Sequence, residues 1–357
     1  MSSFTPSDSV AAAEALELVE QGEALLTARD VASAIAVLDR AEAAGADPDR
    51  CAGARWHCWM LLGQFENAWR ESDAIRARGR RDSQSFWDGS DPTGKRVMVR
   101  SLHGYGDAVQ NLRFLPMLRR RASWVMLEVA PPLLELAQRF AGADEVMTWG
   151  EQAPAVAPPY DMQVEITELP YLLRCCASDL AAEVPYCRLP DVGRDERRHA
   201  LPGRTRPRVG LAWASSTWDP SRTIPLPELA SLLRSDAVEF WSLQTAADNA
   251  AWRKLCAASE WPVRAAGEGS MVETALFVTE MDLVITVDTF VAHLAGALGR
   301  PVWLLLKQDA DWRWGMDRPD TPWYPTMELF RQREKGHWAP VLAEVQERLG
   351  RWSARQE

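Results

Sequence analysis

Asp282-Leu283-Val284-Ile285-Thr286-Val287-Asp288-Thr289-Phe290-Val291-Ala292-His293-Leu294-Ala295-Gly296-Ala297-Leu298 is the stretch on which the reading of this chain turns. A continuous apolar run rich in β-branched residues predicts a fully buried, parallel strand over Leu283–Val287. It stops on an acid and a threonine, and a helix full of small residues begins at once. In an open α/β sheet, ligands bind at the carboxyl ends of the strands, where helix N-termini offer unpaired N–H groups and partial positive charge. Asp288 and Thr289 stand at that place. Thr289 suits a plain helix cap equally well, and every α/β domain has such junctions. His293, on the first turns of the helix, either faces a ligand or packs as a hydrogen-bonded residue, the commoner state of a helical histidine.

Working outward, the texture is strand–helix alternation in two blocks. Carboxyl-terminal to a charged stretch around Arg194–Arg208, strands are expected near Val209–Trp213, Glu239–Leu243, Leu283–Val287 and Val302–Leu306. Ahead of it, strands are expected at Lys95–Leu102, Trp124–Val129, Glu145–Trp149 and Asp161–Ile166, with helices over Asp107–Arg121 and Pro132–Phe140. Two βαβ blocks joined by a polar linker predict an α/β fold of two Rossmann-like, doubly wound domains facing a cleft. Residues 10–80 read as helices and repeat: Ala34 and Ala68 lie in similar frames, with Leu25-Leu26 answering to Trp59-Met60. A period of about 34 with small residues where helices approach is the tetratricopeptide signature. Asp88-Gly89-Ser90-Asp91-Pro92-Thr93-Gly94 breaks both periodicities and reads as a linker. The expected division is 1–88 helical repeats, 95–192 the first Rossmann-like domain and 205–357 the second. The repeats serve either as a docking platform or as a structural cap.

With a net charge of −10 over 357 residues and no basic tract, the chain lacks the basic footprint of a nucleic-acid binder. Residues 1–15 show no signal-peptide pattern, and no apolar run approaches the roughly 20 residues of a membrane helix. The six cysteines form no C-x-x-C pair and no zinc spacing. Reduced thiols in a cytoplasmic protein are the expectation.

Four constellations can carry chemistry. His103-Gly104-Tyr105-Gly106-Asp107 lies between the first strand and first helix of the first block. Its glycines let backbone come close to a ligand, and Asp107 either caps the helix or takes a proton from a hydroxyl nucleophile. Trp213-Ala214-Ser215-Ser216-Thr217, followed by Ser221-Arg222-Thr223, offers hydroxyls and an arginine suited to a diphosphate, or simply a solvated loop. Gln244 closes another strand and can read a base or a sugar. Asp288, Thr289 and His293 are the fourth. Asp309-Ala310-Asp311 has the D-x-D form that can hold a divalent metal, but Trp312-Arg313-Trp314 follows directly and favours a packed turn.

Together with Pro301-Val302-Trp303-Leu304-Leu305, Asp311-Trp312-Arg313-Trp314, Pro322-Trp323-Tyr324-Pro325 and Leu329-Phe330-Arg331-Gln332, these segments resemble bacterial tetratricopeptide-repeat proteins that carry a glycosyltransferase family 9 (heptosyltransferase-like) module. The resemblance implies a GT-B fold, a nucleotide-sugar donor in the second domain and an acceptor facing the first. It implies no metal and no other cofactor, since helix N-termini and basic side chains stabilise a departing diphosphate. Carried over by motif, Asp107 is the catalytic base with His103 beside it, and Gly104 and Gly106 form the backbone loop. Ser215, Ser216, Arg222, Asp288, Thr289 and His293 fall to the donor by the same carry-over, and Gln244 joins them from its strand-end position alone. The acceptor is a protein or a glycan, docking on the repeats. Two departures stand out: Leu102-His103 replace a carboxylate and an amide ahead of the glycines, and Phe290 stands where relatives prefer Gly or Ala. They leave a second expectation, a non-catalytic scaffold with a degenerate cleft. A metal-dependent transferase built on Asp309 and Asp311 is a third.

Overall fold

The computed structural model describes residues 6–79, 86–140, 142–150, 159–181, 184–189, 206–244, 246–258 and 269–356. Most of the charged stretch Arg194–Arg208, and both domain limits drawn at 192 and 205, lie outside the described residues. Two compact units account for the chain. One comprises residues 1–84, 174–179 and 309–318; the other takes residues 85–173, 180–308 and 319–357.

The first unit is built on four helices: α1 (Pro6–Thr27), α2 (Val31–Ala43), α3 (Pro48–Leu61) and α4 (Phe65–Arg78). α1 packs on α2, α3 on α4, and α2 on α3. Ala34, Leu38 and Ala68 are fully buried between them. A Cβ on Gly22 of α1 would stand 2.7 Å from Leu38 Cγ, so only glycine lets the two helices close to that distance. The polar centre is Arg55 on α3, which gives a forked pair of hydrogen bonds to Glu71 at 2.8 and 3.0 Å and reaches Glu42 at 2.6 Å. Burial lowers its affinity for the proton, yet these carboxylates outweigh that and hold the guanidinium charged. The segment Asp309–Arg318 belongs to this unit: Trp312 and Met316 pack on the cluster of Val31, Ala34, Cys58 and Leu61, and Trp56 meets Trp312 edge to face at 5.4 Å. Trp69 Nε1 donates to the Cys175 carbonyl at 2.9 Å.

The second unit carries two all-parallel sheets. The first has the order β3-β2-β1-β4, with β1 Arg96–Arg100, β2 Trp124–Val129, β3 Glu145–Thr148 and β4 Met162–Glu165. The second runs β6-β5-β7-β8-β9, with β5 Arg208–Ala212, β6 Glu239–Ser242, β7 Leu283–Val287, β8 Val302–Leu306 and β9 Met327–Arg331. Every residue of β5, β7 and β8 is buried, as continuous apolar strands sandwiched between helices must be. Helices on the faces of an open parallel sheet are the doubly wound architecture expected from the alternation.

Two helices are shorter than the sequence predicts. Asp107–Arg121 is a helix α5 over Tyr105–Asn111, a tight turn at Leu112–Phe114 and a short helix Leu115–Arg119. Pro116, lacking an N–H, stands in the first turn of that last piece and cannot continue the ladder. Pro132–Phe140 shrinks to a tight turn at Pro131–Leu133 and a helix at Leu134–Ala137. The edge strand β9 was not anticipated as a strand.

Candidate active site

A strand order that reverses direction opens a crevice at the carboxyl ends of the two strands flanking the reversal. In the second sheet those strands are β5 and β7, whose ends carry Trp213-Ala214-Ser215 and Asp288-Thr289. In the first they are β1 and β4, whose ends carry Leu102-His103-Gly104 and Glu165.

At the second reversal, Arg222 donates to the Asp288 carbonyl at 3.0 Å and stands 3.8 Å from its carboxylate. His293 Nε2 is 3.8 Å from the other Asp288 oxygen. Asp288 at the strand end, Arg222 in the turn after β5 and His293 in the following helix thus lie together. Ser215 shapes the loop rather than facing outward: its hydroxyl donates to the Asp219 carbonyl at 2.8 Å, and its N–H donates to Thr223 Oγ1 at 3.1 Å. Ser216 is exposed. The Gln244 side chain accepts from the Ala214 N–H at 2.8 Å and ties the ends of β5 and β6. Thr289 occupies the N-cap of the helix Phe290–Ala297, here α8 after α6 (Ala246–Ala258) and α7 (Met271–Thr279), but its side chain makes no capping bond. The Ala292 N–H bonds back to the Thr289 carbonyl at 3.0 Å, and the partial positive charge of the α8 start faces the end of β7.

Two charged residues complete the cluster. Lys307, the first residue beyond β8, pairs with Asp219 at 2.8 Å, and Asp219 also lies 3.6 Å from Arg222. Burial pushes the Asp219 carboxyl up, but Lys307, Ser221 and Arg222 outweigh it and hold it below its usual range. The rule that strands end at sites was available for Lys307; Asp219 was legible only as the first residue of an Asx-type turn, Asp-Pro-Ser.

At the first reversal, Gly104 is the N-cap of α5 and Asp107 lies in its first turn. The Asp107 carboxylate folds back over the cap, 3.1 Å from where a Gly104 Cβ would stand. Glu165 organises the loop from the neighbouring strand. It accepts from Leu102 N–H at 3.2 Å and from Thr167 N–H at 2.6 Å, and stands 3.9 Å from His103 Nε2. On the other side the Trp149 indole, from the end of β3, donates to the Ser101 carbonyl at 3.3 Å.

The two reversals meet through α5 and α8. A Cβ on Gly106 would lie 2.7 Å from His293 Cδ2, and Tyr105 faces Phe290 edge to face at 6.4 Å. His293, 2% exposed, hydrogen-bonds through Nδ1 to the Tyr324 hydroxyl at 2.9 Å. Beneath it Arg113, equally buried, donates to the carbonyls of Gln110 (2.8 Å), Leu180 (2.5 Å) and Trp323 (2.6 Å) and to Tyr186 Oη (3.0 Å). Its plane lies 4.6 Å from the ring centres of both Tyr186 and Tyr324. Carbonyl dipoles and ring faces thus take the place of a carboxylate around a buried cation. Burial pushes both phenols above their usual range, so they remain neutral hydroxyls.

Asp311 is committed elsewhere: its carboxylate caps the turn Trp312–Trp314, accepting from Arg313 N–H at 3.1 Å and Nε at 2.9 Å. That is the packed turn expected from its sequence context. No group of three or more His, Cys, Asp and Glu side chains suited to a metal ion occurs among the described residues.

The two parallel sheets with facing helix starts define the class, an α/β fold of the GT-B kind. Residues 192–337 match the model of glycosyltransferase family 9 (heptosyltransferase). The protein FlbA of Caulobacter vibrioides is 24% identical over 326 residues, which cover 80% of this chain and 52% of that protein. The chain thus spans about half the length of this curated relative. Among solved structures, ADP-heptose LPS heptosyltransferase II of E. coli superposes with a TM-score of 0.55 at 14% identity, covering 73% of this chain and 99% of that one. A glycosyltransferase family 9 protein of Veillonella parvula gives 0.51 at 14% identity over 68% and 87%. The family match supports a glycosyltransferase, and the solved structures show the shared fold.

Proposed function

We propose that this protein transfers a sugar from a nucleotide-sugar, held at the ends of β5 and β7, to a hydroxyl acceptor at the end of β1. The observation that carries the reading is the coincidence of both strand-order reversals with the candidate residues, joined where Gly106 meets His293. Arg222, with Lys307 beside it, supplies positive charge to a diphosphate. The uncapped start of α8 at Thr289 adds N–H donors, and Ser216 and Gln244 border the same crevice. Asp288 and His293 set the position of Arg222 and of that helix start, and Ser215 the path of the loop. Asp107 acts as general base on the acceptor hydroxyl, with His103 beside it and Gly104 and Gly106 letting the backbone approach. With these cations the diphosphate can leave without a metal, and Asp311 is spent on its turn.

The three-part division at 1–88, 95–192 and 205–357 belongs to the same reading. So does a tetratricopeptide character for α1–α4. Helix ends Thr27 and Leu61, and starts Val31 and Phe65, recur at the same 34-residue interval. Gly22, Leu25, Ala34 and Leu38 fit the G-x-x-Y and A-x-x-x-F frame of that repeat, with leucine for the aromatics. An acceptor that docks on these helices, and a cytoplasmic setting, follow from the reading. No helix among the described residues is long and apolar enough to cross a membrane.

The test is a thermal-shift screen against ADP, GDP, UDP, CMP and their sugar conjugates, with and without EDTA. It is followed by sugar-transfer assays on Asp107→Asn. A shift with one diphosphate that survives EDTA, and turnover lost in Asp107→Asn with nucleotide binding kept, is the expected result. No response to any nucleotide refutes the reading and favours a scaffold.

A further inference from the structure

Among the described residues, five large apolar side chains of the α/β unit are exposed: Phe86, Leu102, Tyr105, Trp149 and Trp218. All but Phe86 stand beyond the carboxyl ends of strands. Three of them surround the end of β1: Leu102 at 56% exposure, Tyr105 at 39% and Trp149 at 39%. Trp149 is not loosely exposed, because its indole reaches past β2 to hold Ser101, the residue next to Leu102. Tyr105 is propped by Phe290. Exposed aromatics fixed in place beside a functional loop mark a recognition surface.

Charge decides what that surface takes. The strand ends here read Arg100–Tyr105, Glu128–Leu133, Met147–Gly150 and Val164–Glu168. Their one basic side chain, Arg100, is paired with Glu128 at 2.8 Å. Glu165, Glu168 and Asp107 leave the rim with acidic groups and one imidazole, His103. Among the described residues of these strand ends, an anionic acceptor, phosphorylated or carboxylated, meets more carboxylates than cations, and the one basic side chain is already paired. A neutral saccharide fits: its C–H faces lie flat on indole and phenol rings, and its rim of hydroxyls donates to carboxylates, which only accept.

Building on the glycosyltransferase reading, we infer that the rim formed by Leu102, Tyr105 and Trp149 is an acceptor subsite for a neutral glycan. The terminal ring stacks there with one hydroxyl directed toward Asp107.

The experiment is saturation-transfer NMR on the full chain with maltotriose, mannotriose and triacetylchitotriose as neutral probes. Mannose 6-phosphate and sialyllactose serve as anionic probes, and a serine/threonine-rich peptide as the polypeptide alternative. The variants are Trp149→Ala and Trp149→Phe, and nucleotide thermal shifts are recorded in parallel. Expected is binding of at least one neutral trisaccharide, weakened at least tenfold in Trp149→Ala and largely restored in Trp149→Phe, with nucleotide shifts unchanged in both. Anionic probes binding as well as neutral ones, binding of the peptide alone, or indifference to Trp149→Ala overturns the inference. Glycan binding without any nucleotide response removes the transferase reading and leaves the subsite standing.

Discussion

Gly106 and His293 are in van der Waals contact across α5 and α8, so tightly that a single added methyl group would lie 2.7 Å from His293 Cδ2. The imidazole has little room to yield, since Nδ1 is held by Tyr324 at 2.9 Å. Gly106→Ala is therefore expected to destabilise by about 1–3 kcal/mol, the usual cost of overpacking. Urea unfolding should show that loss reduced in the Gly106→Ala/His293→Ala double variant, as a non-additive cycle. Additive losses would mean that the two helices do not press on each other.

Arg222 touches the Asp288 carbonyl and carboxylate from the loop after β5. On the proposed reading it also contacts the donor diphosphate, and loss of one charge-assisted hydrogen bond costs about 1.5–3 kcal/mol, roughly 10- to 100-fold in affinity. Titration calorimetry of Arg222→Ala with the nucleotide found in the screen should show that loss, with the fold intact by circular dichroism. Unchanged affinity would remove Arg222 from the donor site.

Asp219 has a carboxyl held below its usual range. Its ionised form is favoured in the folded state, so the stabilisation is present above the unfolded-state value near 3.8 and is lost as pH falls through the lower folded-state value. Asp219→Asn should therefore be less stable than the parent at pH 7, with the gap closing in strong acid. A gap that widens on acidification would contradict the assignment.

Arg113 supplies hydrogens to three buried carbonyls and one phenol. Arg113→Met removes four hydrogen bonds to buried acceptors, each worth about 1 kcal/mol or more, so a loss of at least about 3 kcal/mol is expected in urea unfolding. Arg113→Lys should not rescue it, because an ammonium lacks the planar fork that lies between the two tyrosine rings.

The strands were legible because burial on both faces demands unbroken apolar runs such as Leu283–Val287 and Val302–Leu306. β9 escaped because Glu328 and Arg331 interrupt its five residues and make an edge strand look like a loop. The positions of Asp107, Arg222, Asp288 and His293 could be read from strand ends, since topology places those ends without any knowledge of side-chain contacts. Arg113, Tyr186 and Tyr324 could not. Their meaning comes from partners such as Leu180 and Trp323 far along the chain, and an arginine inside a helical segment reads as a surface residue until those partners are known. Phe290 stands out in the sequence as a departure from the Gly or Ala of the resembling proteins, and only the structure shows that its ring packs against Tyr105.

The helical unit is assembled from three separate stretches of chain, residues 1–84, 174–179 and 309–318. Its core is therefore not encoded by one continuous segment. Cutting the gene after the helices would strip the cover from Trp312 and Met316 and remove the indole that holds the Cys175 carbonyl. The segments Arg174–Asp179 and Asp309–Arg318 have a use only while the helices are present. Grafting the four helices onto another protein would require carrying both of those segments with them, since the unit's core is completed only by all three stretches.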